Sequence, residues 1–487
     1  MKGLRLFHLS EDYSKLGLKA GLELHVQLDT GKKLFCNCST KMKEKQPIEI
    51  VERKLHPVAS ELGTVDQAAQ FEFLKGRTFY YQAFKGESCL VDLDEEPIHP
   101  LNSEALTVAL QVSLLFNCKI PSEIQVMRKT VIDGSNTSGF QRTAVVGLNG
   151  YLEFRGKNVP ISQISLEEDA CAIIGEEDGR VMYKLNRLGV PLVEVSTGLL
   201  VGYTPEEIQE IAYMIGITCR STGKMKHGIG SIRQDMNVSI TKGARVEIKG
   251  VQELGIMAKI VEGEVKRQMI EKAKEETRTV LPDGNTKYMR PLPGASRMYP
   301  ETDIPPVPVN TKYLAEIKKS LPEPLTKKLQ RFEKELKLSQ QLAKEILRSD
   351  YVEVFEKVKG VEPSIVASTF TNVVKDLERS GVEISNITDE NFMDLFNNLA
   401  ERKIAKEAIP DILRMLAENN TKKISEVAKK LGFTTLTHAE LDKIIRETVK
   451  PDMPFNKAIG IVMSKVRGKA DAQTVIKAVK KFLATSA

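Results

Sequence analysis

No stretch of this chain approaches the roughly 18–20 consecutive apolar residues that a bilayer-spanning helix needs. The opening MKGLRLFHLSEDYSKLG lacks the apolar core of a signal peptide. No membrane association is expected, and the cytoplasm is the expected compartment. Several catalytic signatures are missing as well. The chain has neither a G-x-x-x-x-G-K-[ST] phosphate loop nor a G-x-G-x-x-G dinucleotide fingerprint. A G-x-S-x-G nucleophile elbow and an H-E-x-x-H helix are absent, and no cysteine stands in a recognisable nucleophile context. These absences argue against a hydrolase acting on its own. The six cysteines (36, 38, 89, 118, 171 and 219) are scattered, which speaks against a disulfide framework. Only Cys36 and Cys38 are close, and their C-x-C spacing has no second C-x-x-C and no nearby His pair. Buried free thiols are the expectation, rather than zinc.

What the chain does contain is a globular composition: 41% hydrophobic and 28% charged over 487 residues. That length exceeds one ordinary core, so two to four domains are expected. Charge is unevenly placed. Residues 411–487 hold 15 Lys+Arg against 8 Asp+Glu, a net of +7, while the whole chain is only +6. A small basic end on a neutral body suggests an anionic partner, nucleic acid foremost, with a solvated helical face as the alternative.

The period of the apolar residues divides the chain. Residues 15–310 mix strands and helices; QISLEED, VPLVEVS, IRQDMNVSI and ARVEIKGV are short runs with period-two character. Thr204-Pro205-Glu206-Glu207 marks a helix start, with a capping Thr, Pro at the first helical position and Glu at the third. The Pro- and Gly-crowded stretch 281–309 reads as a long ordered loop and a domain edge. From about residue 311 the period is helical, broken near Pro322 and Pro324. Phe392, Leu395, Phe396 and Leu399 repeat at helical spacing behind Thr388. A last helix after Asp471 should bury Val475, Ile476, Val479 and Leu483 and turn Lys477, Lys480 and Lys481 outward. No internal repeat or low-complexity tract is present.

Five segments carry chemistry. In GLELHVQL (21–28), Leu22, Leu24, Val26 and Leu28 alternate with Glu23 and His25, a strand pattern with an acid and an imidazole on one face. The bland reading is a solvated face; the sharper one is a site for a cation or a proton transfer. LEEDA places Glu167, Glu168 and Asp169 in a row, which is costly unless water or a cation screens them. Glu194 lies inside the apolar run VPLVEVS, where an unpaired charge is expensive. Arg233, Asp235 and Asn237 alternate along SIRQDMNVSI. Carboxylates of this kind suit Mg²⁺, which takes a few oxygen ligands and keeps several waters. Structural ion pairs with arginine are the alternative for each strand alone. The fifth segment, MRKTVIDGSNTSGFQRT (127–143), sets Arg128, Lys129 and Arg142 around a loop with Ser135, Asn136 and Thr137 that could meet phosphate.

Taken in order, GLKAGLELHVQLDTGKKLFCNC, ASELG, RKTVIDGSNTSGFQRT, LEEDA, NRLGVPLVEVS, IRQDMNVSI, RVEIKGVQEL and RPLPGASRMYPETDIPP resemble the B/E family of tRNA-dependent amidotransferase subunits. The SNTSGFQRT and MYPETDIPP forms resemble the archaeal E type (GatE) more than the B type. The resemblance implies an α+β chain: a mixed-sheet cradle over 1–310, a helical domain over 311–381 and a YqeY-like tRNA-binding tail over 382–487. It implies conversion of Glu on tRNA(Gln) to Gln, by phosphorylation of the γ-carboxylate with ATP and Mg²⁺ and amidation with ammonia from an asparaginase-like D subunit. Mg²⁺ ligands carry over to His25, Glu168 and Glu194, with Glu23 beside them. Lys129, Arg233 and Asp235 match positions lining the same pocket; physically, Lys129 would meet phosphoryl oxygens, Arg233 would offset charge and Asp235 could hold metal or substrate. ATP contacts are expected from Arg128, Lys129, Ser135, Asn136 and Thr137. Contacts to tRNA are expected from Lys465, Arg467, Lys469, Lys477, Lys480 and Lys481. The rival is a catalytically passive tRNA-binding scaffold. One departure stands out: archaeal GatE chains carry an inserted domain, resembling one in bacterial aspartyl-tRNA synthetases, after a stretch like VEGEVKRQ. Here residues 261–268 run through only MIEKAKE into ETRTVLPDG, without it.

Overall fold

The computed structural model describes residues 13–44, 46–59, 63–226, 228, 230–294, 298–419, 423–432, 438–450, 453–466 and 472–486. The fold is α+β, in two compact units, Met1–Leu325 and Thr326–Ala487.

The first unit is built on an eleven-stranded sheet. Its order is Thr286–Arg290, Glu276–Val280, Val246–Val251, Ile232–Ser239, Lys19–Gln27, Pro191–Thr197, Lys157–Glu168, Phe140–Phe154, Val126–Thr130 and Met298–Pro300. The short Leu200–Val201 pairs with the start of Lys19–Gln27. GLELHVQL therefore lies in mid-sheet, antiparallel to both neighbours. Its Leu22, Leu24 and Val26 are buried with Val193, Val195, Ile164, Leu166, Met236 and Val238 in one core. Helices Ser103–Leu115, Pro205–Arg220 and Met257–Ile270 cover that apolar side. Each fully buried Leu or Val there contributes about 1.5–3 kcal/mol relative to exposure. Helix Pro205–Arg220 starts where the sequence marks it: the Thr204 hydroxyl accepts from the Glu207 N–H, and the Glu207 carboxylate accepts from the Thr204 N–H.

The stretch 281–309, expected as a loop and domain edge, instead supplies strands. Thr286–Arg290 and Met298–Pro300 form opposite edges of the large sheet, and Val307–Pro308 pairs with Glu123–Ile124. Proline is tolerated there because an edge strand leaves one row of backbone groups outside the ladder.

A second sheet runs Glu49–Arg53, Thr78–Ala83, Arg180–Lys184 and Ala172–Glu177. Tyr81 and Tyr183 stack with ring centroids 5.7 Å apart. Their hydroxyls donate to the carbonyls of Gly134 (2.7 Å) and Asp133 (2.9 Å), so this sheet props the 131–139 loop. Gly134 has φ +89°, and a Cβ there would lie 2.3 Å from the Phe79 ring.

The second unit is helical among its described residues. Tyr351 stacks on Phe370 at 4.7 Å, and Phe392 meets Phe370 edge-on at 5.0 Å. Helix Asp389–Ala400 is capped by Thr388, as its sequence indicates. Helices His438–Thr448, Phe455–Val466 and Ala472–Ser486 enclose Leu441, Ile445, Val462, Val466, Val475 and Val479. Ile476, expected inside, is 39% exposed. The buried stripe runs through Val475 and Val479, and Ile476 falls at its rim.

Candidate active site

A strand turns alternate side chains to opposite faces, so the register of the large sheet decides which polar groups meet. His25 lies opposite Glu194 on one side and Arg233 on the other; Glu23 lies opposite Ser196 and Asp235. Glu194 in turn faces Ser165, two residues before Glu167. The side away from the helices thus carries Glu23, His25, Glu167, Glu194, Arg233 and Asp235 on four adjacent strands.

The contacts are close. His25 Nε2 lies 3.2 Å from Glu194 Oε2. Lys129 Nζ lies 2.9 Å from Glu167 Oε1 and 3.9 Å from Glu194 Oε2. The Thr143 hydroxyl donates to Glu167 at 2.6 Å, and the Ser196 hydroxyl to Glu194 at 2.9 Å. One ligand atom each from His25, Glu167 and Glu194 falls within 4.8 Å of the others. Beside them Lys249 Nζ bridges Asp235 and Glu247, at 2.8 Å from each, and Glu23, Asp235 and Glu247 make a second group of that size.

Electrostatics follow from this crowding. Burial works to raise Glu194, but Lys129 and His25 overcome it and hold the carboxyl below its ordinary range. Burial works to lower His25, but the hydrogen bond and charge of Glu194 raise it. Glu23 is pushed up to about 6, first by burial and then by the Glu194 charge. Lys249 stays firmly charged: burial disfavours its cation, yet Asp235 and Glu247 outweigh that.

Glu168 is placed differently from Glu167. It lies on the core side of its strand, where the Arg142 N–H donates to it at 3.1 Å and the Arg142 guanidinium stands 3.4 Å away. Arg142 also binds Glu301 at 2.7 Å, and Arg128 holds Glu301 through two bonds of 2.9 and 2.6 Å. Burial works to raise Glu301, but the two arginines hold it down at about 2. Arg128 and Lys129 therefore face opposite sides of the sheet. This ion-pair cluster ties the MYPETD segment to the strands carrying Arg128 and Arg142. In the phosphate-like loop, Asn136 and Thr137 are buried. The Thr137 hydroxyl donates to the Asp92 carbonyl, and the Ser135 hydroxyl to Asp133, both at 2.6 Å.

Two residues of this region, Glu247 and Lys249, are absent from the sequence expectations, and two others, Glu167 and Asp169, enter them only as members of an acidic row. Glu167 was visible only as one of three acids in a row, and register alone separates it from Glu168. Asp169, 1% exposed, accepts from Arg233 at 2.6 Å and from the Gln27 amide, and so aims the Arg233 side chain. Glu247 and Lys249 alternate in RVEIKGV, a period-two signal that was available.

In the helical unit, Lys465, Lys477, Lys480 and Lys481 are exposed, and Lys465 also donates to the Thr448 hydroxyl at 3.4 Å. Arg467 and Lys469 lie outside the described residues. Among the described residues, no helix is long and apolar enough to cross a membrane.

Comparison with known proteins adds a family. Residues 18–315 match the GatB/GatE catalytic domain, and residues 350–483 match a GatB domain. The glutamyl-tRNA(Gln) amidotransferase E chain of Methanocaldococcus jannaschii is 36% identical, over 97% of this chain and 99% of its own length. Its counterparts of the same name in Thermococcus sibiricus (36%, over 96% of this chain and 98% of its own length) and Methanococcus maripaludis (34%, over 97% and 99%) are similar to the same extent. The M. jannaschii alignment runs over 625 positions, more than the 487 residues here, so the relative carries well over a hundred residues without a counterpart in this chain. That excess accords with the missing insertion. With the catalytic-domain match spanning more than half its length, this chain belongs to the GatB/GatE family.

Proposed function

We propose that this chain is the tRNA-dependent amidotransferase component that phosphorylates the γ-carboxylate of Glu on tRNA(Gln) with ATP and then lets ammonia displace the phosphate. An asparaginase-like partner supplies the ammonia. The observation that carries this reading is the polar strip of His25, Glu167, Glu194 and Lys129, interlocked within 3.9 Å, in a chain of this family.

The donors fit a hard divalent cation, since Glu167 and Glu194 offer carboxylate oxygens and His25 lies beside them. Held by Glu167, Glu194 and His25, Mg²⁺ would supply charge neutralisation for phosphate oxygens. Every other role falls to the side chains. Lys129, held by Glu167, meets the transferring phosphoryl group, with the nucleotide phosphates at the mouth of the 131–139 loop. Arg233, aimed by Asp169, offsets the charge that develops on the acyl phosphate. Asp235 and Glu23, gathered around Lys249, line the side where the glutamyl group and ammonia enter. Glu168 acts from the opposite face, holding Arg142 and through it the Glu301 segment. Phosphoryl transfer rests on positioning and charge, so no covalent nucleophile is required. The exposed lysines of the last helix contact tRNA phosphates.

The test incubates the full chain with labelled Glu-tRNA(Gln), ATP, Mg²⁺ and an ammonium salt, with and without an asparaginase-like partner. Gln-tRNA(Gln) should form with ammonium alone. Its absence under every condition, with tRNA still bound, overturns the reading in favour of a passive scaffold.

A further inference from the structure

The two ends of the large sheet meet over the polar strip. From Thr286–Arg290 at one edge to Met298–Pro300 at the other, the strands follow one another in a single hydrogen-bonded row. Laid flat at about 4.8 Å per spacing, that row would stretch about 43 Å from edge to edge. The chain from Arg290 to Met298 joins the same two edges, and at about 3.6 Å per residue it reaches no farther than about 29 Å. The sheet must therefore curl. Register tells which face lies inside the curl. Glu247 lies opposite Asn237, two residues past Asp235; Thr277 lies opposite Glu247, and Arg290 opposite Thr277. Directly opposed residues share a face, so Arg290 stands on the face that carries His25, Glu194 and Lys129. Accordingly the Thr277 hydroxyl donates to Glu247 at 2.8 Å. Arg290 Nη1 lies 3.8 Å from Asp133 Oδ2, in the 131–139 loop that follows the Lys129 strand. A side chain from one edge strand thus reaches the loop at the far end of the sheet, which makes the polar face the concave one.

Both sides of this meeting point are fixed. Asp133 Oδ1 accepts from the Ser135 N–H at 3.0 Å and from its hydroxyl at 2.6 Å. Beyond Arg290, the Gly294 N–H donates to the buried Asp66 carboxylate at 2.7 Å. The other cations named on this face are already held by carboxylates: Lys129 by Glu167 at 2.9 Å, Lys249 by Asp235 at 2.8 Å and Arg233 by Asp169 at 2.6 Å. Arg290 differs. Its side chain is only 12% exposed, and the Asp133 carboxylate stands beyond hydrogen-bond distance. Its Nε is buried with no acceptor among the described residues. A guanidinium carries five N–H donors in a planar fork, and burying them unpaired is costly. That fork matches phosphate oxygens two at a time.

We propose, on the nucleotide reading given above, that Arg290 is a further substrate-binding residue: reaching across from the far edge strand, its guanidinium holds phosphate oxygens of ATP at the 131–139 loop. The curl of the sheet brings it there, and the ligand supplies the acceptors that its buried donors lack.

The test measures ATP binding to the full chain with Mg²⁺ and without tRNA. Arg290→Gln should weaken it about 10–100-fold, as expected when a charged hydrogen-bonded contact is lost. Arg290→Lys keeps the charge but not the fork, and should fall in between. Affinity for tRNA should be unchanged, and the thermal midpoint without nucleotide should not drop. Because a variant can fail to fold, the unaltered chain is also solved with a non-hydrolysable ATP analogue, whose phosphate oxygens should lie about 3 Å from the Arg290 guanidinium. The proposal is overturned if Arg290→Gln binds ATP as tightly as the unaltered chain, if tRNA affinity falls equally, or if the analogue's phosphates lie out of reach of Arg290. An unaltered chain that binds ATP through Arg290 yet forms no Gln-tRNA(Gln) overturns the function proposed above and leaves the role of Arg290 standing; one that binds no ATP overturns both.

Discussion

A single alternation of side chains separates Glu167 from Glu168 and turns them to opposite faces of the sheet, Glu167 to Lys129 and Thr143 and Glu168 to Arg142. Glu194 sits at the centre of the strip, touching His25, Lys129 and Ser196. Glu194→Gln keeps the shape and removes the charge. We expect it to lower the rate of γ-carboxylate phosphorylation roughly 100-fold or more, a loss of the size seen when one electrostatic contact to a transition state is removed. Affinity for tRNA should be unchanged, measured by filter binding beside a single-turnover assay; an equal loss in both would place Glu194 in folding rather than chemistry. Glu23 supplies a pH signature. Its folded pKa of about 6 exceeds the ordinary 4.5, so the folded state holds the proton more tightly. Stability from this group is full only well below pH 4.5 and is lost as pH rises from there through about 6. Glu23→Gln should therefore stabilise the chain by about 2 kcal/mol at pH 7.5, by only about 0.4 kcal/mol at pH 4.5 and by almost nothing at pH 3, in urea unfolding with chelator present. An equal effect at all three pH values would contradict the burial argument.

At the scale of elements, helix caps and loop glycines differ in what they control. The Thr204 cap serves only helix Pro205–Arg220, whose contacts are to the core side. Thr204→Ala should cost about 1 kcal/mol and leave amidation unchanged once the chain is folded. Gly134 is a different matter. A side chain there meets both a left-handed backbone and the Phe79 ring. Gly134→Ala should cost about 1–3 kcal/mol and also raise the KM for ATP, because the loop beside Lys129 must shift off the Tyr81 and Tyr183 hydroxyls. Thermal unfolding paired with ATP titration distinguishes the two variants. The Thr204 and Thr388 caps were legible from local sequence, since a cap is made by residues three apart. Strands Thr286–Arg290 and Met298–Pro300 were not, because a Pro- and Gly-rich edge strand carries no alternation and owes its place to the neighbour it pairs with.

The whole molecule couples a neutral body to a basic end. Lys477, Lys480 and Lys481 are exposed on one helix whose other side is packed through Val475 and Val479. Replacing all three by Ala should weaken tRNA binding and reduce the slope of log affinity against log salt by roughly one to three. Phosphorylation measured at saturating tRNA should be unaffected. An unchanged salt slope would mean that these lysines form a solvated face and nothing more.

By itself the sequence determined the class of the fold, the change from period two to helical period near residue 311, the helix caps, and the presence of acids on four strands. These are local matters, since period and capping depend on residues a few positions apart. The pairing of those strands is long-range: His25 meets Glu194 only because register brings distant segments together. GLELHVQL could announce an acid and an imidazole on one face. Only the tertiary structure chose Glu167 over Glu168 as their companion, because strand register turns neighbouring residues to opposite faces.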